Sequence, residues 1–398
     1  MVSFEEAHKL VMSYAQDYGT ELLGIRDATA RVLAEEVLAD RDFPPFNRAT
    51  KDGIAINYEA VDQGLLKFKI AGTLPAGVPP MGLENSSNCI EIMTGAVVPD
   101  DADTVVMYED LVIREGIASL KKVPPKGANI HYAGSDDRKG AKLLTPNTVI
   151  SPASIGVMAS VGKAVVNVKK LPSISVISTG KELVEIEKTP LPHQIRRSNA
   201  YSLFSSLSKE GIQPLLLHLD DDKDIIRQKL DYAIQEMDVL LLSGGVSKGK
   251  YDFLPEVLDD LGVKNVFHRV KQRPGKPFWF GFHEQARTLI FSFPGNPVST
   301  FVSYYVYFKP WLHKSLGLKI PDKHVILAED VDLKSDLSCF LGVKLGIDSG
   351  KLTVSLVHGN GSGDLLSLTN SDGFIRLDPK KGKYKKGTLV PFIPTMVY

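Results

Sequence analysis

Three stretches of this sequence set small or polar residues where an apolar run ends, and each could hold an anion. Leu240-Leu241-Leu242 leads into Ser243-Gly244-Gly245-Val246-Ser247, with Lys248, Lys250 and Asp252 just beyond. Such a run predicts a buried strand, and glycines at its carboxyl end let bare backbone N–H groups approach a charged oxygen. Leu289 to Phe293 ends in Pro294-Gly295-Asn296-Pro297, where Asn296 as N-cap and Pro297 in the first turn would open a helix whose free N–H groups suit a phosphate. Ile174 to Ser178 ends in Thr179-Gly180-Lys181-Glu182, the same order of strand, small polar residues and acid. A plain strand-to-helix turn would explain any one of these alone. The span Gly244 to Lys250 also fits Gly-x-x-x-x-Gly-Lys, but Tyr251 stands where a nucleotide-hydrolysing P-loop needs Ser or Thr for Mg²⁺.

Charged residues gather around the same stretches. Arg196-Arg197 precedes Ser198-Asn199, and Lys271-Gln272-Arg273-Pro274-Gly275-Lys276-Pro277 is a basic loop braced by Pro and Gly. The acids Glu182, Asp221, Asp222 and Asp252 fall at loop positions of the same region. Carboxylates beside phosphate-binding loops suit Mg²⁺, a hard ion that takes oxygen ligands and bridges to substrate oxygens, although each alone could be a solvated surface charge. The nine histidines show no His-Glu-x-x-His spacing, and no Gly-x-Ser-x-Gly elbow supports a hydrolase triad.

These residues need a frame. From Leu171-Pro172 onward, Ile174–Ser178, Pro214–Leu217, Val239–Leu242 and Leu289–Phe293 read as strands, with amphipathic segments near 199–210 and 223–236 between the first three. That alternation predicts a parallel α/β sheet with functional loops at the carboxyl ends of its strands. Upstream, residues 3–40 read as helix with a break near Gly19-Thr20, since Val11, Tyr14, Leu22, Leu23, Val32, Leu33 and Val37 recur at helical spacing after a Ser3 cap. Short β-like runs (68–70, 89–92, 104–107) separated by Gly and Pro follow to about Pro125. Ser151-Pro152 caps a further helix in a segment expected to pack back on the N-terminal helices. After Trp311 the runs at 325–327, 340–345, 352–356 and 374–377 suggest a small terminal barrel. The expected architecture is therefore α/β multidomain: a helical part (1–45 and 131–170), a β-rich insert (46–130), a mostly parallel α/β domain (171–318) and a small C-terminal β-barrel (319–398).

Composition narrows the function. The 398 residues hold 43% hydrophobic and 24% charged residues, with no apolar run of membrane-spanning length. Lys+Arg and Asp+Glu both total 47, so no global positive field draws in nucleic acid. Two distant cysteines, Cys89 and Cys339, form neither a disulfide framework nor a Cys-x-x-Cys site. With acids at Glu5-Glu6 where a signal peptide carries basic residues, the chain reads as cytoplasmic.

Taken in order along the chain, the motifs resemble those of the molybdopterin molybdenumtransferase family, the MoeA proteins and the gephyrin E-domain. They are Pro44-Pro45-Phe46 with Asp52-Gly53, Met93-Thr94-Gly95-Ala96 with Pro99, Ala102-Asp103 and Val105-Val106, and Gly134-Ser135-Asp136. Ser178 to Leu183, Ser198-Asn199, Ser243 to Ser247 with Asp252, Pro274 to Pro277 and Pro294 to Ser299 continue the series. The resemblance implies an elongated homodimer whose site lies between the α/β domain of one subunit and N-terminal segments of the other. It implies a transferase that receives adenylylated molybdopterin and molybdate, inserts the metal at the dithiolene and releases AMP. Glu182, Asp221 or Asp222, and Asp252 would surround Mg²⁺, and Lys276 with Arg273 and Lys271 would hold molybdate or phosphate. Thr179, Gly180, Ser198, Asn199, Ser243, Gly244, Gly245, Ser247, Pro294, Gly295, Asn296 and Pro297 would receive the pterin substrate, with Asp52, Thr94 and Asp136 completing the pocket. The adenylylating enzyme of the same pathway is an expected partner.

The sequence departs from the family's usual pattern at Arg48-Ala49-Thr50-Lys51 and Ile54, where Asn-Ser-Ala-Met and Tyr are usual, and at Lys181, where Asp is usual. No arginine lies between 321 and 375, although Ser362 and Ser367 keep a Gly-Ser-Gly-x-Leu-x-Ser-Leu pattern. Rival readings are a molybdopterin-adenylylating enzyme, which would be shorter and lack the Pro-Pro-Phe and Met-Thr-Gly-Ala segments, a nucleotide hydrolase, and a non-catalytic scaffold. Molybdate and tungstate, both tetrahedral dianions of similar size, are not distinguished.

Overall fold

Buried β-rich runs in the middle of the chain form a six-stranded sheet. The computed structural model describes residues 1–220, 222–246, 253–319 and 321–396. Strands Ile174–Thr179, Val239–Ser243 and Thr288–Phe293 are buried along their whole length, as a sheet covered on both faces requires. The order across the sheet is Leu215–Leu219, Ile174–Thr179, Val239–Ser243, Thr288–Phe293, Trp279–His283, Val263–His268, and the first four run parallel. The last two pair antiparallel, so the sheet is mixed but mostly parallel, as expected of the α/β domain. Their hairpin-like connection needs no crossover helix, so the alternation of runs and helices does not reveal them.

Helices Ser198–Lys209 and Lys223–Glu236 fall where their amphipathic patterns place them. Pro297–Ser303 continues through a wider turn at Tyr304–Phe308, all buried, into Lys309–Ser315. One aromatic core joins this helix to the sheet: Phe291 meets Trp311 at 5.5 Å and Phe280 at 4.9 Å between ring centroids. Phe4 of the N-terminal helix sits 5.9 Å from Tyr307 and 5.3 Å, edge-on, from Phe340 of the terminal barrel, so this core also draws in both ends of the chain.

The N-terminal helix is shorter than its periodicity suggests. Only Phe4–Ser13 is α-helical, with Ser3 Oγ accepting from Glu6 N at 3.1 Å. The rest of the expected 3–40 helix is strand Thr20–Gly24, a short 3-10 turn at Ile25–Asp27 and strand Val37–Leu38. Gly19 takes φ +85° and ends any helical path, while Thr20–Gly24 pairs antiparallel with Val165–Lys169. Partners about 145 residues away thus override a spacing that suits either period. The 131–170 segment does pack back on this region: Leu33 and Val37 share a core with Ile150, Met158, Val166 and Val168. Within it, helix Pro152–Ser160 carries a capping box between Ser151 and Ser154.

The β-rich insert is a six-stranded sheet in the order Thr104–Met107, Gly53–Ile56, Asn88–Ile92, Lys67–Leu74, Ile117–Leu120, Leu111–Arg114. In the C-terminal part, strands Ser338–Asp348, Lys351–Leu356, His324–Leu327, Leu389–Pro394 and Gly373–Leu377 close on themselves through pairing of the first with the last, forming the expected barrel. Among the described residues no helix is long and apolar enough to cross a membrane.

A half-buried acid locks the helix that begins at Ser198 to the helix after the sheet. Glu210, at the end of Ser198–Lys209, lies 2.7 Å from Lys309 Nζ and 2.8 Å from His313 Nε2. Burial pushes its pKa up, but the bond from His313 and then the charge and bond of Lys309 together outweigh burial and hold it at about 2. With the folded pKa depressed from 4.5, the stabilisation is fully present above pH 4.5 and disappears as pH falls toward 2. Its size is on the order of 3 kcal/mol. Glu210→Gln is expected to flatten the pH dependence of the urea midpoint between pH 4.5 and 2 relative to wild type. Parallel curves for the two proteins would contradict the assignment.

Candidate functional site

The chain enters the sheet at Ile174–Thr179, crosses to Leu215–Leu219 on one side, then returns to Val239–Ser243 on the other. That reversal opens a crevice beyond the carboxyl ends of the two strands, where open α/β sheets take ligands. In register, Ser178 lies opposite Ser243 and Ser243 opposite Phe293, so the three motifs singled out in the sequence become neighbours. They surround a cavity of about 430 Å³. Ser178, Thr179, Gly180, Glu182, Ser198, Asn199, Ser243, Gly244, Gly245, Gly295, Asn296 and Pro297 line it.

Two backbone features shape the floor. Gly244 and Gly245 take φ +102° and +71°, and a β-carbon on Gly244 would stand 2.8 Å from Thr179 Oγ1, so side chains are excluded on both counts. Gly244 N–H donates to Phe293 O at 3.1 Å, which ties the Ser243-Gly244-Gly245 stretch to the strand that ends in Pro294-Gly295. Asn199 completes the tie from the helix above: its Nδ2 lies 2.6 Å from Gly295 O, 2.9 Å from Ser243 Oγ and 3.3 Å from Thr300 Oγ1. The helix Ser198–Lys209 starts at this point with no side-chain cap, and its first residues Ser198, Asn199 and Ala200 line the cavity.

Asn296 differs from its expected role. It occupies the N-cap position of Pro297–Ser303, but its side chain makes no capping bond. Its Nδ2 donates instead to Ser362 Oγ at 2.9 Å, and Val298 N–H donates to Ser362 O at 3.1 Å. The barrel loop thus takes part of the helix start that the sequence offers to a phosphate, which gives the Gly-Ser-Gly pattern a structural role.

Sequence reasoning passed over Ile195, Ile226, Phe253 and Leu254, which with Leu183 give the cavity an apolar side. Arg196 and Arg197, which the sequence sets directly before Ser198-Asn199, give it a cationic one. Arg197 is 7% exposed, its guanidinium pairs with Glu185, and its Nε is buried without a hydrogen-bond partner among the described residues. Beside it, burial and then the Arg197 charge hold the His218 imidazole below its usual pKa, with Nδ1 against Ser178 Oγ at 3.1 Å.

The acids and the basic loop are distributed less compactly. Glu182 lies in the cavity wall. Asp222 is the N-cap of Lys223–Glu236, accepting from Asp224 and Ile225 N–H groups at 3.1 Å. Asp221, Ser247 and Asp252 lie outside the described residues. Among the described residues no group of three His, Cys, Asp or Glu gathers as a metal site. Lys271, Arg273 and Lys276 are exposed and do not line the cavity, and neither does Pro294. The basic loop leaves strand Val263–His268 at the same end of the sheet, where His268 Nε2 sits 3.2 Å from Val246 O. Buried Gln272 holds the loop's shape by donating to Pro274 O at 3.0 Å and accepting from the Tyr307 hydroxyl.

Asp52, Thr94 and Asp136 belong to the N-terminal part and none lines this cavity. Asp52 accepts from Thr94 N at 2.6 Å and Thr94 Oγ1 at 2.8 Å, bonds that hold its carboxyl below the usual range, backbone bond first. Asp136 Oδ1 lies 2.8 Å from His131 Nε2.

Three family models cover nearly the whole chain: the MoeA N-terminal region (domains I and II) over residues 2–162, a probable molybdopterin binding domain over 175–314, and the MoeA C-terminal region (domain IV) over 324–395. A molybdopterin molybdenumtransferase of Synechocystis sp. is 37% identical over 398 residues, covering 98% of this chain and 99% of that protein. One from Bacillus subtilis is 30% identical over 401 residues, covering 98% and 93%. The crystal structure of a molybdopterin biosynthesis MoeA protein from Pyrococcus horikoshii superposes with a TM-score of 0.83 at 27% identity, covering 98% and 99% of the two chains.

Since one amide joins the strand ends, removing it should loosen the cavity without unfolding the chain. Asn199→Ala is expected to weaken binding of AMP as a probe by about 10–100-fold, the equivalent of one to two lost buried hydrogen bonds. Calorimetric titration with circular dichroism as a fold control measures this, and unchanged affinity would refute the tie.

Proposed function

The chain belongs to the molybdopterin molybdenumtransferase (MoeA) family, and on that premise we propose that it acts in molybdenum cofactor biosynthesis. The reaction is insertion of molybdenum, supplied as molybdate, into adenylylated molybdopterin, with release of AMP. The observation that carries this reading is the cavity itself, where three strand ends and the uncapped start of Ser198–Lys209 meet in one space beside an apolar wall. A ligand with several phosphate charges and a flat ring system matches both sides.

Each group has a distinct task in this scheme. Backbone at Gly245 and the start of the Ser198–Lys209 helix receive phosphate oxygens, while Gly244 N–H is committed to Phe293 O. Arg197 and Arg196 add positive charge, and Ile226, Phe253 and Leu254 face the apolar rings. Lys271, Arg273 and Lys276, exposed on the basic loop at the same end of the sheet, hold molybdate by their positive charge. The covalent work left to the protein is small: positioning the dithiolene against the oxyanion and offsetting charge account for the acceleration.

Glu182 is a hard oxygen donor beside the phosphate loops, which fits an ion that keeps one or two carboxylates and draws its other ligands from phosphate and water. Asp221 and Asp252 would join it, whereas Asp222 is committed to its helix. When bound, Mg²⁺ would offset phosphate charge and polarise the phosphoryl oxygens. Asp52, Thr94 and Asp136 reach the site from a second copy of the chain, so the working unit is a homodimer. The adenylylating enzyme of the pathway supplies its substrate, and the reaction is cytoplasmic.

Purified protein with Mg²⁺ and molybdate is expected to release AMP from adenylylated molybdopterin and to yield cofactor that activates an apo-molybdoenzyme, with negligible ATP hydrolysis. AMP release indifferent to molybdate, or robust ATPase activity without the pterin, would overturn the assignment. Light scattering over a dilution series is expected to give a dimer throughout the micromolar range. A monomer there would rule out the shared site.

A further inference from the structure

The N-terminal carboxylates that the proposed function uses both depend on one short strand, Arg48–Ala49. Along one edge, Ala49 exchanges bonds with the loop after Met93: Gly95 N–H donates to Ala49 O at 2.8 Å and Ala49 N–H to Ala96 O at 3.0 Å. That loop carries Thr94, the partner of Asp52. Along the other edge, Arg48–Ala49 pairs antiparallel with Ile130–His131, placing Arg48 opposite His131.

Their side chains continue the pairing. Arg48 Nη2 lies 3.0 Å from His131 Nδ1, and His131 Nε2 lies 2.8 Å from Asp136 Oδ1. A guanidinium only donates, so Nδ1 must be the unprotonated ring nitrogen. The ring proton therefore sits on Nε2 and points at Asp136. The backbone of Asp136 is fixed separately, its N–H donating to Phe43 O at 2.9 Å, so the imidazole sets only the carboxylate's rotation. The Asp136 side chain is 59% exposed, and Oδ2 has no partner among the described residues.

We propose that His131 is a positioning residue for Asp136 in the transferase reaction, with Arg48 fixing its tautomer so that Asp136 Oδ2 is presented to substrate. The inference rests on the proposed function for the role of Asp136. It also explains the departure at position 48: an arginine there has a defined acceptor on the opposite strand rather than being a random loss of the usual residue. The arrangement follows the logic by which an orienting group holds a base or ligand in a single tautomer.

The test combines two independent readouts. Long-range ¹⁵N–¹H correlation of the imidazole is expected to show His131 as the neutral Nε2–H form in wild type and as a tautomer mixture in Arg48→Ala. In the molybdate-dependent AMP-release assay, His131→Ala is expected to lower kcat by about 10–100-fold with little change in KM and in thermal midpoint. His131→Gln, which retains a donor, should recover most of that loss, and adding His131→Ala to Asp136→Ala should cost nothing further. A wild-type kcat in His131→Ala, effects that add in the double variant, or an Nδ1–H ring in wild type would each overturn the inference. Were wild type itself to show no molybdate-dependent release, the proposed function would fall, and the ring spectra of wild type and Arg48→Ala would still decide the pairing.

Discussion

Gly295, Ser243 and Thr300 converge on the side-chain amide of Asn199, and the site depends on that convergence. Two hydrogens on one nitrogen are shared among a carbonyl and two hydroxyls drawn from a loop, a strand end and a helix. The parallel register brings these groups within reach, but register alone leaves the loops free to separate, since nothing in a sheet ladder extends past its last pair. An amide at the first turn of Ser198–Lys209 closes that gap and also brings the uncapped helix start to the cavity. Backbone donors and a fixed helix end in one place make a site for multiply charged oxygens without any excess of positive charge on the protein as a whole.

For that helix to deliver Asn199, its far end must be held as well. Glu210 does so through Lys309 and His313, anchoring it to the helix that packs Trp311 and Phe308 against Phe291. The aromatic core beneath is thus part of the positioning of the site. Because Phe4 and Phe340 enter the same core, the N-terminal helix and the barrel are not loosely attached parts. Ser362 repeats the theme at the cavity's rim, where the barrel loop grips Asn296 and Val298.

The N-terminal carboxylates are supported in an analogous way with different chemistry. Thr94 offers Asp52 a backbone and a hydroxyl donor together, while Asp136 relies on an imidazole held by a guanidinium. Both arrangements leave carboxylate oxygens exposed while restricting how the group can turn, as the role proposed for them would require.

By itself the sequence determined the strands Ile174–Thr179, Val239–Ser243 and Thr288–Phe293, the two amphipathic helices and the barrel runs, because burial on two faces or one stripe writes itself into local composition. It also determined the glycine and Asn-Pro turns, since those conformations admit few residue types, and the ordered series of motifs that marks the family. The spacing of Leu22 and Leu23 fitted a helix as well as anything else, and only pairing with Val165–Lys169 decided for strand. Asn296 as a bridge to Ser362 and Arg48 as the partner of His131 were equally beyond the sequence. In each case a polar side chain had several chemically equivalent partners available. Which one it took depended on groups brought near it by folding, from as far as 83 residues away for Arg48, and no local pattern encodes that choice.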